Sequence, residues 1–329
     1  MTETVLKYHG HNVNLIIKNG IVNNTWSFLE PNRRYIVITD NNLAKIYGHI
    51  LQEIPGLETI LAIKPGEKSK CITVYQKLLS ALIKINIKRN DILIAFGGGV
   101  VGDMTGFVAS TILRGIEYIQ IPTSLVAQID SSIGGKCGMD YEGKNMVGSF
   151  YHPSNIIIDP TLLKTLPEIE FANGIGEMLK YGFIRDEKIF TELENTKVDA
   201  NSENLVELIE RCVNIKHKLI LKDEFDFNER RLLNFGHTYG HVIENLSNYK
   251  IPHGKAVAQG MYYELEDFEL KDRLLNAMKK YNLSEGIEKW QIDYRKHIIN
   301  DKKSTLNTIT MVRVNKIGRG KLYTKDLYN

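Results

Sequence analysis

The sequence has few of the features that mark secreted, membrane-bound or nucleic-acid-binding proteins. Its three cysteines, Cys71, Cys137 and Cys212, are far apart and odd in number, which argues against a disulfide framework and for a reducing compartment. No apolar run approaches the roughly 20 residues of a membrane span, and no basic segment followed by an apolar one suggests a signal peptide. A formal net charge of only +3, without a Lys- or Arg-rich block, argues against nucleic acid as a partner. We therefore expect a cytoplasmic protein without membrane or nucleic-acid partners.

The first half of the chain carries the pattern of a parallel β-sheet. Five short runs rich in β-branched residues have continuous rather than alternating apolar character, which is typical of strands buried on both faces. These runs cover residues 35–40, 60–63, 91–96, 116–122 and 155–159. A helical pattern at 74–87 separates two of them. The sequence therefore predicts a doubly wound α/β domain.

The second half is mainly helical in pattern. The 329 residues are enough for two domains, each with its own core. After Pro160 the apolar spacing is mostly helical, over 169–246 and again over 265–281, and only 308–312 looks strand-like. We therefore expect the α/β domain to span 1–159 and a helical domain to span 160–329.

Histidine provides the most informative cluster, because three of the nine lie within 17 residues. His237 and His241 are four residues apart, so on a helix both imidazoles lie on one face and can converge on a metal or an anion. Glu177, in the sequence GIGEMLKYG, offers an acidic partner, and two imidazoles with one carboxylate form the ligand set of a catalytic zinc site. A lone histidine pair is more often structural, but the glycines that flank this cluster allow close approach of backbone or ligand. Lys180 lies one turn from Glu177 and faces the same way, an arrangement that a simple ion pair would also explain.

Three consecutive glycines follow the predicted strand at 91–96, in the sequence GGGVVGDMTGF. Between a buried strand and a helix, glycines let backbone N–H groups approach a phosphate at the helix N-terminus. The spacing is not that of the common G-x-G-x-x-G dinucleotide pattern, and a tight turn would also need glycine. The context favours a pyrophosphate. Asp40, which ends an earlier strand, supports a nucleotide because its carboxylate could accept hydrogen bonds from ribose hydroxyls. PGEKSK at 65–70 is a further polar loop after a strand.

A second polar block follows the strand at 116–122. It reads PTSLVAQIDSSIGGK and is followed by Gly143-Lys144-Asn145. Its aspartate, lysines and glycines show little apolar periodicity, which is typical of a solvated loop. Because functional side chains concentrate on loops held by a rigid scaffold, and lysines beside glycine-rich backbone suit a phosphate, the block indicates a phosphorylated substrate. Arg114 precedes the same strand and is a third cation.

Together these segments closely resemble the 3-dehydroquinate synthase family, a family of sugar-phosphate cyclases. The resemblance runs from Asp40 to about Lys303, and its most specific parts are GGGVVGDMTGF, the block 128–136, GEMLKYG and LNFGHTYGH, all in the family's order. It implies an N-terminal NAD-binding domain, a helical C-terminal domain and an active site in the cleft between them. The segment from Lys136 to Lys144 is one residue shorter than the family's form, so Lys144 is assigned by its Gly-Lys-Asn match.

The resemblance assigns a divalent metal, zinc or cobalt, to Glu177, His237 and His253. This assignment differs from the helix-face interpretation, under which His237 and His241 would both be ligands. By resemblance His241 lies on the substrate side, where it contacts phosphate or donates a proton.

The resemblance also implies groups of catalytic, substrate-binding and cofactor-binding residues. Those expected near the reacting groups are Asp130, Lys136, Lys144, Lys180 and His241. Those expected to bind substrate are Arg114, Lys136, Asn145, Lys180, Lys216, Arg230, Asn234, His241 and either Lys302 or Lys303. Those expected to bind NAD are Asp40, Asn42, Glu67, Lys70, Gly98, Gly99, Val100, Val101, Gly102, Asp103, Thr123, Ser124, Lys136, Lys144, Leu162 and Thr165. Arg114 resembles an arginine that the family supplies across a dimer interface, so a homodimer is expected.

The activity that the resemblance implies is conversion of 3-deoxy-D-arabino-heptulosonate 7-phosphate into 3-dehydroquinate and phosphate, a step of the shikimate pathway towards aromatic amino acids. Transient oxidation by NAD would be followed by β-elimination of phosphate, re-reduction and an intramolecular aldol closure, so NAD would not be consumed.

Three other functions are compatible with parts of the sequence. A metal-dependent polyol dehydrogenase would share the glycine loop but would not need a phosphate clamp of Lys136, Asn145, Arg230 and Asn234. Another sugar-phosphate cyclase would differ only in its substrate contacts. A non-catalytic binding protein would have no use for the complete metal set.

Overall fold

The computed structural model describes residues 2–23, 26–290, 304–305 and 308–326. The chain divides into two compact units, which meet in sequence between Leu166 and Pro167. None of the helices in the described part of the chain is long and apolar enough to cross a membrane.

The first unit is built on a seven-stranded sheet. Its strands are β1 (Thr2–Tyr8), β2 (His11–Ile17), β3 (Tyr35–Asp40), β4 (Leu57–Ile63), β5 (Ile92–Gly97), β6 (Tyr118–Pro122) and β9 (Asn155–Ile158), and a separate hairpin comprises β7 (Lys136–Met139) and β8 (Val147–Phe150). The helices are α1 (Asn41–Leu51), α2 (Ile72–Lys84) and α3 (Gly99–Thr111). The strand order is β1-β2-β9-β6-β5-β3-β4, in which β1 and β2 are antiparallel and all other neighbours are parallel.

Both faces of this sheet are buried. Ile36 and Ile38 of β3 pack on one face together with Leu82 of α2, whereas Tyr35 and Val37 pack on the other with residues of α1. Because neighbouring side chains of a strand point to opposite faces, a strand that is buried on both faces is apolar over most of its length. The prediction of a doubly wound α/β fold is confirmed, and all five predicted strands are present.

The hairpin of β7 and β8 was not predicted. The block interpreted as a loop ends at Lys136, which is the first residue of β7, and the following Cys137, Gly138 and Met139 are buried where the strand packs against α3. Each strand has four residues and includes a glycine, so neither shows the apolar alternation by which strands are recognised.

The second unit is mainly helical, as predicted. Its helices are α4 (Glu168–Ile184), α5 (Glu187–Asn195), α6 (Leu205–Lys222), α7 (His237–Leu246), α8 (His253–Glu264) and α9 (Phe268–Lys280). A small antiparallel sheet contains β10 (Ser304–Thr305), β11 (Thr308–Val314) and β12 (Gly320–Asp326). The predicted strand at 308–312 is part of β11. Strand β12 was missed because only its first residue is buried and its sequence, GKLYTKD, is largely polar.

Candidate active site

Three residues of the second unit converge as a set of metal-ligand types. Glu177 lies on α4, His237 is the first residue of α7, and His253 is the first residue of α8. One ligand atom of each lies within 4.8 Å of the others. Nε2 of His253 is 3.3 Å from Oε1 of Glu177, and Nε2 of His237 is 3.8 Å from the same oxygen. Two imidazoles and a fully buried carboxylate are the donors of a three-ligand catalytic zinc site.

Glycines beside these residues allow the helices to approach closely enough. A Cβ atom on Gly254, which follows His253, would lie 1.8 Å from the backbone oxygen of Asn173 on α4. A Cβ on Gly176, which precedes Glu177, would lie 2.2 Å from the backbone oxygen of Gly254. Helices α4 and α8 are therefore in backbone contact where two of the three residues stand, and any side chain at these glycines would separate them.

The entry into α7 is fixed by Gly236 and Glu264. Gly236 has φ = 77°, a left-handed conformation that favours glycine, and it is directly followed by His237. Its N–H donates to Oε2 of Glu264, 2.7 Å away, and Oε1 of Glu264 accepts from Val312 N–H of β11 at 3.0 Å. The carboxylate of Glu264 thus ties the start of α7 to the small sheet.

Both imidazoles present Nε2 to Glu177 because their Nδ1 atoms are engaged elsewhere. Nδ1 of His237 lies 3.2 Å from the backbone oxygen of Phe235, and Nδ1 of His253 lies 3.1 Å from Oε1 of Glu244. A carbonyl oxygen and an ionised carboxylate only accept hydrogen bonds, so the proton belongs on Nδ1 in each ring. A neutral ring of this tautomer has its lone pair on Nε2, as a metal ligand requires.

Two carboxylates, Glu177 and Glu244, contact basic side chains in this cluster. Burial lowers the pKa of His253, but the hydrogen bonds and charges of Glu177 and Glu244 raise it to about 9. The buried ammonium of Lys180 also contacts Oε2 of Glu177, so the ion pair anticipated from the i, i+3 spacing is present. The donor set of one carboxylate and two imidazoles fits a divalent metal on Glu177, His237 and His253.

His241 lies beside the cluster. Its ring centroid is 5.6 Å from that of His237 and 6.2 Å from that of His253. With Glu244 and His253 it forms a second group whose ligand atoms lie within 4.8 Å of one another. Glu244 was missed by the sequence analysis. Its spacing of seven residues from His237 and three from His241 places all three on one face of α7, a signal that was available.

The predicted substrate residues of the second unit lie on elements that pack against α4. Lys216 is buried on α6, and Arg230 is buried in a short 3-10 segment, Glu229–Asn234, which also carries the half-buried Asn234. Both α6 and this segment contact α4, where Lys180 is buried. Lys302 and Lys303 lie outside the described residues.

Asp223 organises the loop that leads to Arg230. Its carboxylate accepts hydrogen bonds from the backbone N–H groups of Phe227, Asn228 and Arg230, at 2.9, 2.6 and 3.1 Å. Burial raises the pKa of Asp223, but these three donors and the charge of Arg230 outweigh it and lower the pKa below its ordinary value. The loop conformation and the Asp223 charge therefore stabilise each other.

In the first unit, the predicted cofactor residues follow the carboxyl ends of adjacent parallel strands. Asp40 ends β3, and Gly98 and Gly99 follow β5. The chain leaves β3 towards β4 and leaves β5 towards β6, on opposite sides, and ligands of open α/β sheets bind where connections diverge in this way. Oδ1 of Asp40 caps α1 by accepting from Asn42 and Leu43 N–H, so a structural role accompanies the predicted contact to ribose.

The N-terminus of α3 suits a pyrophosphate. Within the described part of the chain, no side chain caps this helix, and its first turn carries no acidic residue. Added Cβ atoms on Gly98 and Gly99 would lie 3.3 and 3.2 Å from the hydroxyls of Ser124 and Ser131. Glycine at these two positions leaves the space in front of the first N–H groups free of side chains of residues 98 and 99. Thr123 N–H donates to Gly97 O at 3.0 Å and holds the end of β6 beside this turn.

Lys70 joins three of the predicted residues. Its ammonium lies 2.6 Å from Oδ2 of Asp103 and 4.0 Å from Oε1 of Glu67, and it donates to the side chain of Asn145. Burial lowers the pKa of Lys70, but the carboxylates of Asp103 and Glu67 raise it above its ordinary value. Asn145, which the sequence analysis grouped with substrate, thus contacts a residue predicted to bind NAD, and its N–H donates to Oδ1 of Asp140.

The remaining predicted residues of the first unit are spread around the same sheet edge and its loops. Leu162 and Thr165 are held to α1, where the hydroxyl of Tyr47 lies 2.8 Å from Oγ1 of Thr165. Asp130 lies in a π-helix, Ala127–Ser131, a rare element that is frequent at functional sites. Lys136 is exposed at the start of β7, and Lys144 is half-buried between β7 and β8.

The chain matches two family models, which together cover residues 60–310. The model described as 3-dehydroquinate synthase N-terminal matches residues 60–173, and that described as 3-dehydroquinate synthase C-terminal matches residues 174–310. A 3-dehydroquinate synthase of Clostridium perfringens is 45% identical over 284 residues, which cover 82% of this chain and 81% of the relative. One from Clostridium kluyveri is 42% identical over 324 residues, which cover 92% and 89%.

Solved structures of other cyclases share the fold. A 2-deoxy-scyllo-inosose synthase, solved with carbaglucose-6-phosphate, NAD+ and Co2+, superposes with a TM-score of 0.86 at 23% identity, over 99% of this chain and 95% of that one. A 2-epi-5-epi-valiolone synthase from Streptomyces hygroscopicus, with NAD+ and Zn2+ bound, gives a TM-score of 0.80 at 24% identity, over 95% and 92%. A probable glycerol dehydrogenase from Sinorhizobium meliloti has a TM-score of 0.58 at 16% identity, over 86% of each chain.

Proposed function

The chain belongs to the 3-dehydroquinate synthase family, and we propose on that basis that it converts 3-deoxy-D-arabino-heptulosonate 7-phosphate into 3-dehydroquinate and inorganic phosphate. It is an enzyme whose reaction involves no net oxidation, since the substrate loses phosphate and closes a carbocycle. The cofactors we propose are NAD, bound by the first unit, and one zinc or cobalt ion, bound by the second.

The convergence of Glu177, His237 and His253 is the observation that carries this proposal. Three elements that are distant in sequence bring together a buried carboxylate and two Nε2 atoms within 4.8 Å, in a family whose fold relatives were solved with NAD+ and Co2+ or Zn2+. When bound, the metal supplies a Lewis acid for a substrate hydroxyl, and NAD supplies a reversible hydride acceptor.

Within the second unit, the chain's own groups have separable tasks. Glu177, His237 and His253 hold the metal, and the ammonium of Lys180 contacts the Glu177 carboxylate and fixes it. Lys216, Arg230 and Asn234 bind the negative ends of the substrate, which favours one rigid pose. His241, beside the ligands, exchanges a proton at the leaving phosphate. The three buried cations Lys180, Lys216 and Arg230 lie on neighbouring elements and suit a substrate with two anionic groups, a carboxylate and a phosphate.

Within the first unit, the N–H groups at the start of α3 bind the pyrophosphate of NAD, and Asp40 binds a ribose. The buried contact between Lys70 and Asp103 holds the start of α2 against α3, which keeps the nucleotide site in shape. Glu67, Asn42, Thr123, Ser124, Leu162 and Thr165 complete the proposed cofactor contacts. Asp130, Lys136 and Lys144 are proposed to lie near the reacting hydroxyls.

We also propose a cytoplasmic homodimer in which Arg114 enters the neighbouring active site. Leu113 and Arg114 both have positive φ, 50° and 69°, an uncommon conformation for consecutive residues with side chains. Both side chains are exposed at this turn. Backbone strain of this kind is often found where a residue must be held in a fixed direction for function.

The test is a coupled assay on the purified protein. Consumption of the heptulosonate phosphate should be accompanied by equimolar phosphate and 3-dehydroquinate, with no lasting absorbance of NADH. Stoichiometric NADH accumulation from a polyol, without phosphate release, would instead identify a dehydrogenase. Turnover of another sugar phosphate in preference to the heptulosonate would identify a different cyclase. Glu177→Ala is the matched control, since it should abolish turnover and leave NAD binding in the first unit intact.

A further inference from the structure

Glu244 is a buried carboxylate that the reaction described above does not use. It lies in the last turn of α7 and is 4% exposed. Burial of a carboxylate costs free energy unless it is compensated, and the C-terminal end of a helix disfavours negative charge. An acidic residue is therefore expected at this position only if a specific partner stabilises it.

His253 is that partner. Oε1 of Glu244 lies 3.1 Å from Nδ1 of His253, while Nε2 of the same ring lies 3.3 Å from Glu177. Because His253 is the first residue of α8, the Glu244 carboxylate also lies at the N-terminal, positive end of that helix. The imidazole is therefore held between two carboxylates, one on each ring nitrogen.

We infer that Glu244 is a positioning residue for the metal site. This inference rests on the proposed function, in which His253 binds the metal through Nε2. By accepting the Nδ1–H proton, Glu244 fixes the tautomer and the orientation of the ring, and its negative charge makes Nε2 a stronger donor. Nδ1 of His237 faces the neutral backbone oxygen of Phe235, whereas Nδ1 of His253 faces the carboxylate of Glu244.

A competing role follows from the same geometry. His241, Glu244 and His253 could themselves hold a metal ion, since their ligand atoms lie within 4.8 Å of one another. In that case Glu244 would be a ligand, and the chain would bind two ions. The hydrogen bond to Nδ1 favours the positioning role, because a proton occupies the nitrogen that a second ion would need.

The experiment measures Zn2+ affinity and stoichiometry of the full chain after removal of metal, by competition with a chromophoric chelator. Wild type should bind one Zn2+, Glu244→Ala should bind it about 10–100-fold more weakly, and Glu244→Gln, which keeps an acceptor but loses the charge, should fall between them. Asp223→Asn is the matched control, a buried carboxylate in the same unit that contacts backbone N–H groups and should leave the affinity unchanged. Circular dichroism verifies that each variant is folded. If Glu244→Ala does not fold, the nearly isosteric Glu244→Gln still tests the inference.

A second readout separates positioning from general stabilisation. In Zn2+-loaded protein labelled with 15N-histidine, the ring of His253 should show a protonated Nδ1 and a metal-bound Nε2, and the Nδ1–H resonance should shift when Glu244 is replaced. Unchanged Zn2+ affinity in both Glu244 variants would overturn the inference about Glu244 and leave the proposed metal site unaffected. Two ions in wild type with one lost in Glu244→Ala would also overturn it and establish the second site. If Glu177→Ala bound Zn2+ as tightly as wild type, the proposed metal site itself would be wrong.

Discussion

His237 and His241 stand one helical turn apart on α7, yet they differ in what their ring nitrogens face. Nε2 of His237 points towards the Glu177 carboxylate, 3.8 Å away, and its Nδ1 lies near a backbone oxygen. His241 is grouped instead with Glu244 and His253. Helix periodicity alone treats these two histidines as equivalent, and the distinction comes from the position of α4.

Replacement of each histidine by alanine should separate metal binding from proton transfer. His237→Ala removes a proposed ligand, so the zinc content of the purified protein should fall steeply. His241→Ala should keep its metal but lose turnover by about 10²–10⁴-fold, the range for a proton-transfer group. Elemental analysis and the phosphate-release assay measure both effects. Equal metal loss in the two variants would favour the helix-face interpretation and count against His253 as a ligand.

Asp223→Asn should weaken both the loop before Arg230 and overall stability. Loss of charge at an acceptor of three backbone N–H groups should lower the free energy of unfolding at pH 7 by about 1–3 kcal/mol. Because the pKa of Asp223 is lowered by folding, its contribution is complete above the unfolded pKa of about 3.9 and is lost as pH falls through the lower folded value. The difference between wild type and variant should therefore shrink in acid.

Urea unfolding at pH 7 and at successively lower pH measures this difference. Asp199→Asn is the control, because Asp199 also accepts a backbone N–H, from Asn201 at 2.8 Å, but is exposed. Its effect should stay within about 0.5 kcal/mol. A constant difference between wild type and Asp223→Asn across the acid range would contradict the assigned role of the charge.

At the scale of elements, the site depends on how closely α4 and α8 cross. Gly254 lies against the backbone of Asn173, and its N–H donates to the Asn173 side chain. The crossing fixes the separation of Glu177 from His253, because each of these residues is adjacent to a glycine at the contact. Packing of two helices, rather than a loop, therefore sets the spacing of the metal ligands.

Gly254→Ala should destabilise the protein and weaken the metal site together. The added Cβ would lie 1.8 Å from a backbone oxygen that cannot rotate away, so the helices must separate at a cost of about 1–3 kcal/mol or more. Gly48→Ala in α1 is the matched control, since a Cβ there meets nothing within 4 Å. That variant should be stabilised by about 0.5–1 kcal/mol, because alanine favours a helix over glycine.

Thermal unfolding and zinc content of the two glycine variants measure the effect. The same Gly→Ala change is expected to lower the free energy of unfolding at position 254 and to raise it at position 48, so the two variants are directly comparable. If Gly254→Ala kept wild-type stability and zinc content, the crossing of α4 and α8 would not be what positions the ligands.

At the scale of the whole molecule, the proposed dimer makes a prediction that a monomer cannot meet. If Arg114 acts in the neighbouring active site, Arg114→Ala and Glu177→Ala should each be inactive as pure dimers. Mixed dimers formed after subunit exchange would contain one site with both wild-type residues. Random exchange should then restore about a quarter of the wild-type activity.

The phosphate-release assay on the mixture measures this recovery, and each variant incubated alone serves as the control. Recovery by mixing requires that the two residues act from different chains. Full activity of Arg114→Ala alone, or no recovery in a mixture shown to contain mixed dimers, would contradict the proposed contribution across the interface.

Much of the fold could be predicted because burial leaves a strong imprint on local sequence. Strands β3, β5 and β6 are buried on both faces and are therefore mostly apolar without alternation, and the spacing of α2 and α9 matched a helix period. The hairpin of β7 and β8 and strand β12 could not be predicted in this way. These runs are short, partly polar or exposed, so pairing with the neighbouring strand of a hairpin, rather than an apolar pattern, makes them strands.

The sequence by itself determined which side chains were available for chemistry: a carboxylate, a group of histidines and glycine-flanked lysines in the order of a known family. Only the tertiary structure decided which atoms meet. It brought His253 and Glu177 within reach of each other across 76 residues of chain, and it placed Glu244 on the far nitrogen of the same ring. The physical reason is that a side chain's type is a local property, whereas the direction of its lone pairs depends on the crossing of helices that are remote in sequence.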